Sequence, residues 1–538
     1  MLMKEGAWTW FLGFTTIGGL THFRGNNICL SKAIWFILFI AGICATIWQI
    51  YSVLINYFEY NVITSVTNDE AQTMNFPAVT ICNANRVHCG NLRNLIWNIS
   101  QETGDNEETL KKLCGVYAQV NCDGGVSLAD MITEGSSNPN DICPGYEAPL
   151  TAPASMHRFF ILRDEFMVLY DQLEDKHKQI IAHQPDKMFR QCTFESLVGT
   201  ATQCKELLNG TVKVYHPHFG YCYTFNGMST NNHGTITPFS GPFYGFSVEI
   251  NIEQLYYMRR AATQTEGIIV SIHHPKKDPL LVTNAMNILT NTLTRLAITE
   301  ARSIRQPYPY TSNCTNTWNR TSMPHLDGIR PYQSGLCQTK CLYDIVGEMC
   351  NCSLNQLYTI DDGRNQKRIC LIYDVDKNCT EAAAKNLTDE YLSQRCICPS
   401  QCEDHYYDVS FSSAKWPSQV FWPHVADTHQ IRYSGENIHP RPIFDLLIEA
   451  QTNVTVKDEY DTIRDYVEGN FLKLEVYFAN KYIRRTIETQ EFPLSAILSS
   501  IGGAISLWVG ASFITLFELV ELGLRLLFNC YFVTKEMH

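Results

Sequence analysis

Ser499-Ser500-Ile501-Gly502-Gly503-Ala504-Ile505-Ser506-Leu507-Trp508-Val509-Gly510-Ala511-Ser512 lies inside a run of 26 residues, 492–517, that holds no Asp, Glu, Lys or Arg. An earlier run, residues 33–58, has the same length and the same lack of charge. At about 1.5 Å of rise per residue, a helix of either length covers roughly 39 Å, more than a hydrocarbon core of about 30 Å. Both runs therefore predict membrane-spanning helices, with room for tilt. The later run is the more polar, because Ser495, Ser499, Ser500, Gly502, Gly503 and Ser506 interrupt it. A lipid-facing helix gains nothing from such residues, whereas copies of one helix packed around water do.

The segment between the runs carries eight N-x-S/T sequons, at Asn98, Asn209, Asn313, Asn319, Asn351, Asn378, Asn386 and Asn453. With most of the 21 cysteines in the same segment, they place it outside the cell. Both termini are then cytoplasmic. Lys32 before the first run and Arg525 and Lys535 after the second fit that orientation. Residues 1–30 lack a basic segment followed by a cleavage site, so the first run is expected to remain as a signal anchor. The expected divisions are a cytoplasmic N-terminus at 1–31, a first membrane helix at 32–58 and an ectodomain at 59–491. A second membrane helix follows at 492–528 and a cytoplasmic tail at 529–538. A net charge of −12 argues against a nucleic-acid partner, which selects basic surfaces.

Cys29, Cys44 and Cys530 fall in or near the membrane and are expected as free thiols. Ten of the others cluster late, at Cys314, Cys337, Cys341, Cys350, Cys352, Cys370, Cys379, Cys396, Cys398 and Cys402. C-x-C and C-x3-C spacings also suit metals, but an extracellular cluster without supporting His spacing reads as disulfides. Such cross-links stiffen a module whose own core is thin. His273-His274 and His216-Pro217-His218 read as surface or loop histidines, so no metal site and no cofactor are expected. G-x-S-x-G, H-E-x-x-H and phosphate-loop signatures are lacking.

Alternating runs at 76–83, 221–225, 245–252, 267–272 and 471–478 predict strands that pair into one central sheet. The first and last adjoin the membrane runs, so sheet movement reaches the membrane. Residues 159–181 place Phe160, Leu162, Phe166, Leu169, Tyr170 and Leu173 at helical spacing, with Asp164, Glu165, Asp171, Glu174 and Asp175 between. This predicts an amphipathic helix in a region suited to recognition. Residues 122–155 read as loop.

The chemistry concentrates in the quoted stretch. Small residues at Gly510, Ala511 and Ser512 allow backbone carbonyls from several copies to approach an axis and replace an ion's water. Ser499, Ser500, Gly503 and Ser506 are expected to line the path, and Glu518 and Glu521 to add carboxylates that favour cations. On residue types alone, a helix-packing motif with interfacial carboxylates fits equally well.

Taken together, Gly510-Ala511-Ser512 after Ile501-Gly502-Gly503, Phe76-Pro77-Ala78-Val79-Thr80-Ile81-Cys82-Asn83, Gly220-Tyr221-Cys222-Tyr223-Thr224-Phe225-Asn226 and the ten-cysteine cluster resemble the degenerin/epithelial sodium channel family. The resemblance implies an α+β membrane protein. Two transmembrane helices per subunit carry a disulfide-rich ectodomain of palm, β-ball, finger (about 90–205), thumb (about 305–405) and knuckle. It also implies a trimer with two further identical or related subunits, Na⁺ as permeant ion and amiloride as pore blocker. Gly510, Ala511 and Ser512 become its selectivity filter.

By the family pattern the disulfides are Cys82–Cys222, Cys192–Cys204, Cys314–Cys402, Cys337–Cys398, Cys341–Cys396, Cys350–Cys379 and Cys352–Cys370. Cys89, Cys114, Cys122 and Cys143 are additional, with pairing open. Gly18 and Gly19 match the N-terminal gating motif, with Gly18 where the family has His. Ser500 stands where acid-sensing relatives hold Asp.

Tyr221-Cys222-Tyr223-Thr224-Phe225-Asn226 is similar to the acid-sensing and peptide-gated branch. Pro307-Tyr308-Pro309-Tyr310-Thr311-Ser312-Asn313-Cys314-Thr315-Asn316 is more similar to invertebrate FMRFamide-gated channels. Tyr57-Phe58-Glu59-Tyr60 lacks the His that acid-sensing channels place after the first membrane helix. The expectation is a ligand-gated sodium channel of the plasma membrane, opened by a short amidated neuropeptide. Asp164, Glu165, Phe166, Tyr170 and Asp171 are the expected peptide contacts. The alternative within the family is proton-gated or constitutive conduction. From another class, a non-conducting adhesion receptor or ectoenzyme needs neither the Gly-Ala-Ser narrowing nor the deep carboxylates.

Overall fold

The computed structural model describes residues 10–23, 29–101, 107–118, 166–195, 201–203, 211–216, 218–227, 236–258, 265–281, 283–354, 368–372, 375–429, 431 and 443–536. The chain forms two compact units. One comprises Met1–Ser65, Arg305–Cys314 and Ile487–His538; the other comprises Val66–Ile304 and Thr315–Thr486.

The first unit holds the apolar helices. Cys29–Phe58 is one uninterrupted helix, long and apolar enough to cross a bilayer. The later apolar run is divided. Helix Leu494–Val509 ends at Gly510, and helix Phe513–Glu536 starts three residues further on, bent by 70°. Sequence reading gave the second span at 492–528 as a single element; in the structure, Gly510 terminates it.

The second unit is built on strands. In chain order these are β1 (Val62–Glu70), β2 (Met74–Asn75), β3 (Ala78–Asn83), β4 (Phe189–Glu195) and β5 (Ala201–Gln203). Then come β6 (Val212–His216), β7 (Gly220–Phe225), β8 (Ile236–Thr237), β9 (Gly245–Asn251) and β10 (Ile268–His273). The last five are β11 (Ala285–Ile288), β12 (Thr292–Ile304), β13 (Glu403–Lys415), β14 (Phe471–Phe478) and β15 (Tyr482–Gln490).

The larger sheet runs β1-β15-β12-β14-β9-β4-β5, with β13 also on β12. Long β12 pairs antiparallel with β13 from Thr292↔Lys415 to Ile304↔Glu403, and parallel with β14. A second sheet runs β11-β10-β3-β7-β6. The strands expected to form one sheet are thus shared between two: β9 and β14 in the larger, β3, β7 and β10 in the smaller. The two sheets close on one core, to which Ile81, Tyr223 and Val270 contribute from the smaller and Val248, Leu296 and Leu474 from the larger. Every residue of β3 and β7 is buried, so these strands carry no alternation that would assign a face to one sheet.

Helices Cys89–Gln101, Glu107–Ala118 and Asp175–Ile181 gather with residues 166–171 around a separate apolar core. The amphipathic helix expected over 159–181 is interrupted at residues 172–174 within its described part. Phe166 and Tyr170 lie inside this core, at 1% and 0% exposure, with the Arg86 guanidinium 5.6 and 5.8 Å from their ring centres. This corrects their expected role as peptide contacts: the apolar stripe that drew attention to them is the face that packs inward. Asp171 is exposed, while Asp164, Glu165 and the 122–155 stretch lie outside the described residues.

The late cysteines cross-link helix Ser334–Cys350 and its end to residues 370–398. Cys337 and Cys341, four apart on one helical face, bond to Cys398 and Cys396, two apart on an extended segment. Cys350–Cys379 and Cys352–Cys370 continue the series. Cys82 and Cys222 bond where β3 and β7 place them directly opposite. Closed loops of this kind, from 18 to 140 residues long, each contribute about 3–5 kcal/mol in the chain-entropy description. Cys89, Cys114, Cys192, Cys314 and Cys402 are also disulfide-bonded, and Cys44 is a free thiol. Cys122, Cys143 and Cys204 lie outside the described residues. Asn98, Asn313, Asn319, Asn351, Asn378, Asn386 and Asn453 are all exposed, as glycan acceptors must be; Asn209 is not among the described residues.

Candidate functional site

Helix Leu494–Val509 sorts its residues by face. Ile497 and Ala504 are buried. Ser499, Gly503, Ser506 and Gly510 recur at spacings of four, three and four, which puts them on one face, and all four are exposed in the single chain. Ser500 is half-buried. The helix approaches Cys29–Phe58 closely because of Gly42: a Cβ there would lie 2.6 Å from the Trp508 carbonyl oxygen. The Trp508 indole N–H donates to Gln49 at 2.7 Å, tying the two helices again.

Gly510 ends the helix in the left-handed region, with φ +68 and ψ 15, while its N–H still donates to the Ser506 carbonyl. That conformation suits glycine at a helix C-terminus. Ala511 is half-buried and Ser512 exposed. The Ser512 N–H donates to Thr515 Oγ1 at 2.9 Å, and the Thr515 N–H to the Ser512 carbonyl at 3.0 Å, so the next helix starts capped.

The N-terminal segment closes against this break. The Gly18 N–H donates to the Val509 carbonyl at 2.8 Å, satisfying an acceptor that the helix end leaves open. A Cβ on Gly18 would sit 3.2 Å from that oxygen, and one on Gly510 would sit 3.1 Å from the Gly18 nitrogen. Gly18 is therefore in backbone contact with the helix terminus. Gly19 takes φ +84 and lies against Trp35, whose ring stacks on His22 at 4.0 Å.

Glu518 is 6% exposed, and its carboxylate accepts from Thr15 Oγ1 and the Thr16 N–H, both at 3.0 Å. In the single chain it therefore serves the N-terminal segment. Glu521 pairs with Arg525 at 2.8 Å, and the Arg525 guanidinium covers the Trp10 ring at 3.6 Å. Sequence reading gave Glu518 no partner, because Thr15 lies 503 residues away; the Glu521–Arg525 pair, four apart on one helix, was open to it and was missed.

At the other end of the first membrane helix, the Tyr60 ring meets Tyr310 edge-on at 5.6 Å, and the Thr311 N–H donates to the Tyr60 carbonyl. The Glu488 carboxylate accepts from the Gln306 N–H at 3.2 Å and from Ser312 Oγ. The 305–314 segment therefore holds both the exit of the first helix and the entry to the second, within one unit.

One buried polar cluster has no sequence signal. His88, His183 and Glu253 come from three separate parts of the second unit, with their ligand atoms within 4.8 Å of one another. His88 Nδ1 accepts from the Asn91 N–H at 3.0 Å and caps helix Cys89–Gln101, so in the neutral ring the proton is on Nε2, facing Glu253 at 3.6 Å. His183 Nδ1 donates to Glu253 at 3.1 Å, leaving Nε2 buried without a partner. Metal-bound imidazoles donate their second N–H to an acceptor, and neither ring has one here. The arrangement is one carboxylate between two imidazoles.

Burial pushes the His183 imidazole below its usual range. Burial pushes the Glu253 carboxyl up, but hydrogen bonds from His183 and His88 outweigh it and hold the group down to about 2. Burial also lowers His274, to about 4. A base whose folded pKa is depressed makes the unfolded chain the better proton acceptor, so stability falls with pH. Thermal melts of the purified chain should lose stability as pH drops below the ordinary His value of 6.5, from His183 and His274. A further loss comes between 4.5 and about 2, as Glu253 protonates. Melts unchanged from pH 7 to 4 would contradict the assignment. Of the other histidine pairs, His273 Nε2 is within 2.8 Å of Thr80 Oγ1, and His216 stacks on Phe219 at 5.0 Å. Pro217 lies outside the described residues.

Residues 11–522 match the family described as "Amiloride-sensitive sodium channel". The chain is 20% identical over 572 residues to the FMRFamide-activated amiloride-sensitive sodium channel of Cornu aspersum, covering 94% of this chain and 81% of that one. It is 22% identical over 517 residues to human acid-sensing ion channel 2, covering 95% and 85%. It is 22% identical over 563 residues to the beta subunit of the mouse epithelial sodium channel, covering 93% and 80%. With a match that runs from the N-terminal segment through both apolar helices and the Gly510 break, the chain belongs to the amiloride-sensitive sodium channel family: it is a sodium channel and not an enzyme.

Proposed function

We propose that the chain works in the plasma membrane as a trimer, of identical or related subunits, with both termini cytoplasmic. Sodium passes along an axis lined by the exposed Ser499, Gly503 and Ser506 face and narrowed at Gly510, Ala511 and Ser512. The observation carrying this reading is the break at Gly510, which leaves an exposed small residue and a capped helix start where a continuous helix would present bulky side chains. Irregular backbone at membrane depth is tolerated where it lines a cavity, and three such breaks around an axis would make one. Amiloride blocks the path. Glu518 and Glu521 lie beyond the narrowing, and Gly18 and Gly19 hold its underside.

The gate is opened by a short amidated neuropeptide bound to the ectodomain. The similarity to an FMRFamide-activated channel supports this ligand class. Of the expected contacts, Asp171 is exposed and open to it; the buried Phe166 and Tyr170 shape the helical core behind. Binding opens the path only by favouring the open state over the closed one. The 305–314 segment, joined to both membrane helices, is the natural carrier of that bias.

Proton gating is the second reading, favoured by the His88–Glu253–His183 cluster and the similarity to an acid-sensing channel. Whole-cell recording from the chain expressed alone separates the two. FMRFamide-like peptides should evoke an inward sodium current that amiloride suppresses. Silence to peptides with current on acidification discards the peptide gate and keeps the channel.

A further inference from the structure

Three of the eight sequons carry a cysteine as their middle residue: Asn313-Cys314-Thr315, Asn351-Cys352-Ser353 and Asn378-Cys379-Thr380. All three of those cysteines are disulfide-bonded. Cys352 bonds to Cys370, 18 residues on, and Cys379 to Cys350, 29 residues back. Asn351 and Asn378 therefore flank the same bond, Cys350–Cys379, whose Cα atoms are 5.8 Å apart.

Both asparagines are exposed, so a glycan fits on the finished fold. The hydroxyl residues two positions on are not presented in the same way. Thr380 Oγ1 donates to the Asp376 and Lys377 carbonyls, both at 3.1 Å, at the start of helix Lys377–Asn386. Ser353 is fixed by its backbone: its N–H donates to the Arg368 carbonyl at 2.7 Å, and its carbonyl accepts from the Cys370 N–H at 2.9 Å. A transferase that must grasp the asparagine amide and this hydroxyl together finds neither sequon open once the chain has folded. The disulfides close them sooner. With the middle residue cross-linked, a second stretch of chain, 5.0 or 5.8 Å away at Cα, has to enter any cleft that takes the sequon.

Glycan transfer and oxidation run on similar times. At about 5–20 residues of synthesis per second, Cys370 follows Cys352 within about 1–4 s. Disulfides form in seconds to hours. Cys350 precedes Cys379, so that bond needs no further synthesis.

We propose that glycosylation and disulfide closure compete at Asn351 and Asn378, each site being filled only in chains where transfer comes first; this rests on the extracellular placement proposed above. Transfer joins the asparagine Nδ2 to the first sugar carbon of a lipid-linked oligosaccharide diphosphate. That carbon's bond to the diphosphate breaks, the lipid diphosphate leaves, and the amide gives up one proton. Oxidation joins two sulfurs, releases two protons and passes two electrons to the disulfide of an oxidised exchange protein, which opens to a dithiol. The mature protein is then a mixture of glycoforms around one disulfide, with the two attachment points roughly 13 Å or less apart. The end of helix Ser334–Cys350 is covered in some copies and bare in others.

The test expresses the full chain and reads each site by peptide mass spectrometry after enzymatic deglycosylation, which turns an occupied Asn into Asp. Cys370→Ser leaves the Asn351 sequon intact, and Cys350→Ser leaves the Asn378 sequon intact. Competing reactions of similar rate divide the chains about evenly, so each variant should raise occupancy at its own site about twofold. Asn319, Asn386 and Asn453, whose sequons hold no cysteine, should be unchanged. Neither variant has to fold for this measurement, because the sugar is added before folding is complete. A membrane-permeant dithiol present during synthesis should raise both sites in the unaltered chain, and it decides the matter where a freed cysteine finds another partner. Occupancy at Asn351 and Asn378 that does not rise with the dithiol would overturn the competition. Sugar missing from Asn319, Asn386 and Asn453 as well would overturn the extracellular placement, and the competition with it.

Discussion

Gly510→Val is expected to abolish sodium current while leaving the protein at the cell surface. Gly510 holds φ +68, where a β-branched residue costs about 1–3 kcal/mol. Its added Cβ would also press on Gly18, 3.1 Å from the nitrogen and 3.4 Å from Cα. Both neighbours are backbone atoms, so relief requires the N-terminal segment to withdraw or the helix to run on past Val509. Either change removes the 70° bend and the capped start at Ser512. The second unit contains none of these residues, so folding and export should persist. Surface biotinylation alongside whole-cell current measures both. Current at the wild-type level would show that the break is not needed for conduction.

Gly245→Val should have the opposite signature, loss of the folded protein itself. Gly245 enters β9 with φ +123, and a Cβ would fall 2.3 Å from the Val476 carbonyl oxygen of β14. β9 is held between β14 and β4, with Val476 opposite Phe246 and Glu195 opposite Gly245. No side-chain rotation relieves a contact with backbone, so the start of the strand must leave the ladder. Substitutions of that kind cost about 4 kcal/mol or more, against a total stability of about 5–15. Little mature protein should reach the surface, and what is purified should melt well below wild type. Normal export with normal current would contradict the β9 register.

Much of this was legible from the residues. Phe471–Phe478 alternates buried and half-buried positions because one face meets the core, and such alternation is visible in a sequence. β3 and β7 were visible as apolar strands, but being buried throughout they gave no sign of which sheet would take them. The small residues Gly510-Ala511-Ser512 stood out in the second apolar run, but the break that divides the helix there was not read from them. The contacts on either side of the bend were not legible either, since Gly18 and Thr16 reach it from almost 500 positions away in sequence. The segment holding Phe166 and Tyr170 was misjudged for a physical reason: an amphipathic pattern shows that one face is buried without showing against what. His88, His183 and Glu253 sit in three unremarkable contexts, and only the fold brings them together.

Ion selectivity at the Gly510-Ala511-Ser512 narrowing is the most direct measurement. Reversal potentials in paired sodium and potassium solutions should be taken for the chain and for Ser512→Phe. Sodium preference in the parent, lost or sharply reduced in Ser512→Phe with protein still at the surface, is the expected result. Unchanged selectivity and conductance in Ser512→Phe would mean that ions do not pass this point.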